Sequence, residues 1–223
     1  PLTAIGSDIY FSAQASVNNF EIHKYTGSGN ATAVTSFNAN TFFTQGGHIA
    51  ANGLLFFFFN HPSPQGKVYK YDPATNTTTA LTAFFSNGMG SISPIGTTIF
   101  FTGFNASVES TNHWYAVQQD GTGLVNLNPL GVSSSGSNIL RKIGSNYYAV
   151  MFTNGTAAGQ GNQLWRTDGV TDAGATNITS TQPASFVPGN FEVFSGNNIF
   201  FSAAFGTSTT GIEPALIDVT TSS

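Results

Sequence analysis

The chain has 223 residues, enough for one large domain or two small ones with a sizeable core. Only six Lys and Arg and ten Asp and Glu are charged, 7% of the residues against about 25% in an ordinary soluble domain. The formal charge is −4 with the six cations scattered, so no basic stripe is available for nucleic acid. No apolar run is longer than Leu54 to Phe59, too short for a membrane helix. Cysteine is absent, which excludes disulfides, thiolate nucleophiles and Cys-based zinc sites. Ser and Thr number 51 and Asn 21, so the predicted surface is hydroxyl and amide.

In chain order, one pattern recurs: a small-residue pair, an aromatic-aliphatic run, and a Gly, Ser and Asn-rich loop. The copies start at Ile5, Ala51, Ile95, Ile143 and Ser195. Each predicts four strands. The first is the aromatic run, as in Ile9–Ser12, Leu54–Phe58, Ile99–Thr102, Tyr147–Val150 and Ile199–Ser202. The second is Ile22–Tyr25, Val68–Tyr71, Trp114–Val117, Leu164–Thr167 and Ala215–Ile217. A Thr-rich stretch follows (Ala31–Phe37, Thr77–Phe84, Leu124–Leu127), and a fourth precedes the next small pair (His48–Ala50, Ser91–Ser93, Ile139–Lys142, Phe191–Phe194). Gly and Pro abundance and the lack of a 3.6-residue apolar period oppose helices. The expected fold is therefore all-β: a five-bladed β-propeller of five repeats of about 47 residues, four short antiparallel strands per blade, in one domain spanning 1–223. The repeats cover 1–45, 46–89, 90–137, 138–189 and 190–223, with a sandwich or barrel as the rival architecture. The 21 Phe would fill the space between blades.

The fourth copy reads Gln163-Leu164-Trp165-Arg166-Thr167-Asp168-Gly169-Val170-Thr171-Asp172-Ala173-Gly174-Ala175-Thr176. It resembles the ELWxTDGTxxGT repeat of secreted, hyalin-like and bacterial surface proteins, with Gln for the first Glu and one inserted residue. Gly211-Ile212-Glu213-Pro214-Ala215 in the fifth copy resembles the GxEPW form, with Ala for Trp. The resemblance implies a propeller repeat of extracellular proteins and carries no catalytic residues.

Asp72, Asp120, Asp168 and Asp218 follow the second strand and read as turn residues, because a short carboxylate bonds the backbone two residues on. No acid pair stands out for general acid–base work, so no catalytic residue is assigned, although a glycosidase pair across a propeller channel is kept as a third reading by analogy of fold. His23, His48, His61 and His113 lack ligand spacing, and no cofactor or metal is expected. Asp168 and Asp172 could bracket a calcium, but the alternating D-x-D-x-D-G spacing is missing. Trp114 and Trp165 are candidate sugar-stacking platforms, with packing between blades as the competing reading.

Five N-glycosylation sequons begin at Asn30, Asn76, Asn105, Asn154 and Asn177, all expected in accessible loops. The chain opens at Pro1 without a leader-like segment, as a processed or partial form of something longer would. Pro1–Ala4 and Val219–Ser223 offer short end strands, which either close the ring or recruit a neighbour by strand addition. The sequence thus reads as a non-catalytic extracellular or cell-surface glycoprotein with a structural or adhesive role in a surface, matrix or filament. Its expected partners are its own copies, other extracellular proteins or glycans, and not nucleic acid or a spanned membrane. A lectin with repeated inter-blade pockets is the alternative.

Overall fold

The computed structural model describes residues 2–17, 19–37, 42–60, 66–83, 85, 89–105, 111–134, 140–154, 157–182, 187–204 and 212–219. Two compact units divide the chain, Pro1–Leu124 and Val125–Ser223. Among the described residues every regular element is a strand.

The first unit opens with a sheet of β1 (Leu2–Ile5), β2 (Asp8–Ser16), β3 (Asn19–Tyr25) and β4 (Thr32–Ala33), antiparallel in chain order. A second sheet repeats it with β5 (Phe42–Ala51), β6 (Leu54–Asn60), β7 (Gly66–Asp72) and β8 (Thr77–Ala80). The third begins with β9 (Ile92–Ile95), β10 (Thr98–Gly103) and β11 (His113–Gln118). In the second unit, β12 (Val125–Asn126) precedes a sheet in which β13 (Val132–Ser134) and β14 (Leu140–Ile143) both pair with β15 (Asn146–Thr153), followed by β16 (Gly161–Thr167) and β17 (Thr176–Asn177). Finally β18 (Val187–Ser195), β19 (Asn198–Ala204) and β20 (Ile212–Asp218) form a three-stranded sheet. The sequence did not foretell β13. Residues 220–223, half of the chain-end reading, lie outside the described residues.

The small pair of each copy is a two-residue hairpin turn, fixed by registers such as Ile5↔Asp8 and Ile143↔Asn146. In the second copy Asn52 and Gly53 both take positive φ, 53° and 75°, as a type I′ turn requires. These turns set the register that decides which face each side chain occupies.

Both faces of a sheet flanked by two others must be apolar, and that accounts for Leu54–Phe59. Leu55, Phe57 and Phe59 join Tyr10, Ile22 and Tyr71 in one cluster. The alternate residues Phe56 and Phe58 join Val68, Phe85, Ile99, Phe101 and Tyr115 in another. The second unit packs its two larger sheets through Tyr148, Val150, Leu164, Ile199, Phe201 and Val219.

Aligned by their turns, the sheets share a cross-strand position. Phe57 stacks on Tyr69 with ring centroids 5.7 Å apart, and Phe101 on Tyr115 at 5.5 Å. Phe11 stacks on His23 at 5.8 Å. A ring from the preceding sheet's exit segment wedges edge-on against two of these pairs. Phe37 stands 5.0 Å from Tyr69, and Phe85 4.8 Å from Tyr115. Gly103 leaves room for Phe85, since a Cβ there would lie 3.0 Å from its ring.

Candidate functional site

The wedge segments are tied down by a threonine that the sequence did not single out. Thr35 Oγ accepts the Ile22 amide at 2.9 Å, Thr82 that of Val68 at 3.1 Å, and Thr179 that of Leu164 at 2.9 Å. In each case the residue before the threonine donates its amide to the same partner's carbonyl (Val34 to Ile22, Leu81 to Val68, Ile178 to Leu164). The hydroxyl proton is also placed in two copies: Thr35 donates to Glu21 and Thr179 to Gln163. Glu21 is 3% exposed, and its other oxygen accepts the Phe37 amide at 2.7 Å. Where Lys67 replaces it, Phe85 is instead held by paired backbone bonds to Gly66. Glu21 and Gln163, at one position of their strands, are thus buried acceptors for the segment that leaves the sheet. An apolar-Thr dipeptide in the third stretch of three copies was the available signal.

Asp72, Asp120 and Asp168 also serve the fold. Asp72 accepts the Ala74 amide, Asp120 the amide and hydroxyl of Thr122, and Asp168 the Val170 and Thr171 amides and the Thr171 hydroxyl. Asp218 ends β20 opposite Asn198. Burial alone would raise the Asp168 carboxyl, but its hydrogen bonds outweigh that and hold it below the ordinary carboxylate range. The Thr122 hydroxyl does the same for Asp120. Asp172 turns away from Asp168 to accept the Asn126 amide at 3.0 Å. The two carboxylates considered for calcium therefore serve different donors, and the described residues include no cluster of three metal-ligating side chains. His23 and His113 are not equivalent: His23 pairs with Phe11 and His113 with Gly103, two residues apart in the repeat.

Trp114 and Trp165 are not surface platforms. Trp114 is 0% and Trp165 8% exposed, so neither offers a ring face to a sugar. Strand alternation takes them inward: Trp165 occupies the cross-strand position of Tyr69 and Tyr115, and Trp114 the buried position of Val68 and Leu164. The sequons also divide. Asn30 and Asn76 are exposed, as is Asn154, while Asn105 is half-buried. Asn177 lies in β17 rather than a loop, its amide nitrogen donating to the Gly159 carbonyl at 2.9 Å and its Thr179 buried. Asn177 itself is half-buried, with its amide engaged.

The signature loop encloses an open polar pocket of about 200 Å3, lined by Asn146, Arg166, Thr167, Asp168, Thr171, Gly174 and Thr176. Arg166 pairs with Tyr148 on β15 and with Thr176 on β17. By register it corresponds to Lys24, opposite Tyr10, and to Lys70, opposite Phe56. Lys24 pairs with Asp8 at 3.5 Å, and Lys70 donates to the Gln119 carbonyl at 3.0 Å.

No protein family and no curated protein matches the sequence. Solved structures of similar fold include an oligogalacturonate lyase from Vibrio parahaemolyticus, with TM-score 0.58 and 12% identity over 97% of this chain and 61% of that one. A prolyl endopeptidase gives 0.58 and 14% over 100% and 33%. A puromycin-hydrolyzing peptidase from Mycobacterium tuberculosis gives 0.56 and 12% over 100% and 36%. The chain has a β-propeller-type fold. It spans about a third of the two peptidases and three fifths of the lyase.

Proposed function

We propose that the chain is a non-catalytic, extracellular five-bladed β-propeller acting as a structural or adhesive component of a surface, matrix or filament. The observation that carries this reading is how the acids are used. Asp8, Glu21, Asp72, Asp120, Asp168, Asp172 and Glu192 each hold an intramolecular partner, which suits a scaffold better than an acid–base site. The five sheets among the described residues, one per repeat, support five blades, and the hydroxyl-rich composition and the resemblance to hyalin-like repeats support the extracellular setting. The peptidases and the lyase share a fold at 12–14% identity, and their activities do not transfer with it.

Electron microscopy with light scattering over a concentration series tests the proposal. Five-fold particles that assemble into ordered oligomers or filaments without added ligand are expected. A strictly monomeric particle at high concentration, or turnover of peptide or oligosaccharide substrates, would overturn it.

A further inference from the structure

Three of the six cations occupy one register position, and two of them have a partner: Lys24 has Asp8 and Lys70 the Gln119 carbonyl. The turn Ile5-Gly6-Ser7-Asp8 gives Lys24 its carboxylate, whereas the equivalent turn Ile143-Gly144-Ser145-Asn146 ends in a neutral amide. Among the described residues the Arg166 guanidinium has neither an ion pair nor a hydrogen bond. Asp168, the acid of the pocket lining, already accepts two amides and a hydroxyl. A half-buried guanidinium with no ion pair, in a pocket whose one carboxylate is already engaged and whose other side chains carry hydroxyl and amide groups, is arranged for a ligand that brings its own carboxylate.

We infer that the Arg166 pocket is a binding site for an acidic monosaccharide unit, a uronate. Its carboxylate takes the planar guanidinium fork. Its ring hydroxyls meet Asn146, Thr176 and the lone pair that Asp168 Oδ2 keeps after accepting from Thr171. The volume of about 200 Å3 is below the roughly 300–1,000 Å3 of pockets for drug-sized ligands, which fits one sugar unit. The site lies within the second unit and stands whether or not the chain self-assembles.

Calorimetric or NMR titration with sodium glucuronate and galacturonate, against glucose, galactose and acetate, tests the site. At least one uronate is expected to bind saturably with a dissociation constant on the order of 1 mM. The neutral sugars and acetate should bind at least about tenfold more weakly, corresponding to about 1.4 kcal/mol. Asn146→Asp supplies the acid that Asp8 supplies to Lys24, so it should keep the melting temperature while weakening uronate binding about tenfold or more. Arg166→Gln should do the same. Absence of saturable uronate binding, acetate or a neutral sugar binding as tightly, or equal binding by wild type and a folded Asn146→Asp protein would each overturn the assignment.

Discussion

Thr179 gives its hydroxyl proton to Gln163 Oε1 at 2.7 Å while its own Oγ1 accepts the Leu164 amide. One side chain thus satisfies a buried donor and a buried acceptor. Thr179→Val keeps the shape and strands both groups, which costs about 1–3 kcal/mol per unsatisfied buried group. Thr82→Val loses the Val68 partner and should fall at the low end. Thr35→Val should cost the most, because the group left short of a donor is the Glu21 carboxylate, 3% exposed. Urea denaturation of the three variants checks the order. A Thr35→Val effect no larger than that of Thr82→Val would show that the carboxylate gains nothing from the hydroxyl.

The signature loop carries one residue in an unfavourable conformation and one with no room to grow. Ala173 has φ 52°, a region where a Cβ costs about 1–2 kcal/mol. Ala173→Gly should therefore raise stability by up to about 1 kcal/mol once the entropy of glycine is set against the relief. Gly174 is the reverse case: a Cβ would lie 2.7 Å from Thr171 Cβ and 2.9 Å from its carbonyl oxygen. Gly174→Ala should cost about 1–3 kcal/mol by overpacking. Thermal melts of the pair should move in opposite directions.

Acid should weaken the fold only below the ordinary carboxylate range. The carboxyls of Asp168, Asp120 and Glu192 are all held low, Glu192 chiefly by its two-pronged bond from Arg141. A depressed folded pKa means that stability is fully present above the unfolded value and is lost as pH falls through the folded one. Melting temperature should be flat from about pH 7 to 5 and drop below about pH 4, near the ordinary values of these groups. Asp168→Asn should make the drop shallower.

At the other extreme, burial first, and then the neighbouring Tyr71 and Asp8, push the Tyr10 phenol up to about 12. Its proton is kept by the folded chain after the unfolded chain would release it, so this contribution is present below pH 10 and is lost as pH rises through the folded value. Burial also raises the Tyr69, Tyr71 and Tyr148 phenols, so absorbance titration should show a late class that shrinks by one phenol, the latest to titrate, in Tyr10→Phe.

Sugar attachment should follow the side-chain geometry. Secreted from a eukaryotic host, the chain is expected to carry glycan at Asn30 and Asn76, both exposed, and none at Asn177, whose amide nitrogen is held by Gly159. Glycopeptide mass spectrometry decides this. Occupancy at Asn177 would require β17 and Thr179 to form after glycosylation.

Much of the strand pattern was legible because aromatic runs, two-residue turns and the repeat all point to the same elements. Leu54–Phe59 could be placed as a strand, yet only the structure divides it into Leu55, Phe57 and Phe59 on one face and Phe56 and Phe58 on the other. The sequence left Trp114 and Trp165 open between sugar stacking and packing, because residue type reveals an apolar surface but not the face it occupies; their burial decides for packing. Thr35, Thr82 and Thr179 were hidden for another reason: loops of unequal length separate them from Ile22, Val68 and Leu164, so no fixed spacing marks the pair. The Arg166 pocket depends on one change, Asp8 in the first copy against Asn146 in the fourth. That change is visible in the repeat but has meaning only once the register puts Lys24 and Arg166 in the same place.

Phe37 and Phe85 leave one sheet to complete the aromatic stack of the next, so within the first unit no sheet has a finished core of its own. Stability there is a nearest-neighbour quantity, as in a one-dimensional lattice. Damage to the exit segment of the first sheet should register as early amide exchange in the second, and excising one repeat should loosen the adjoining repeat rather than leave it intact.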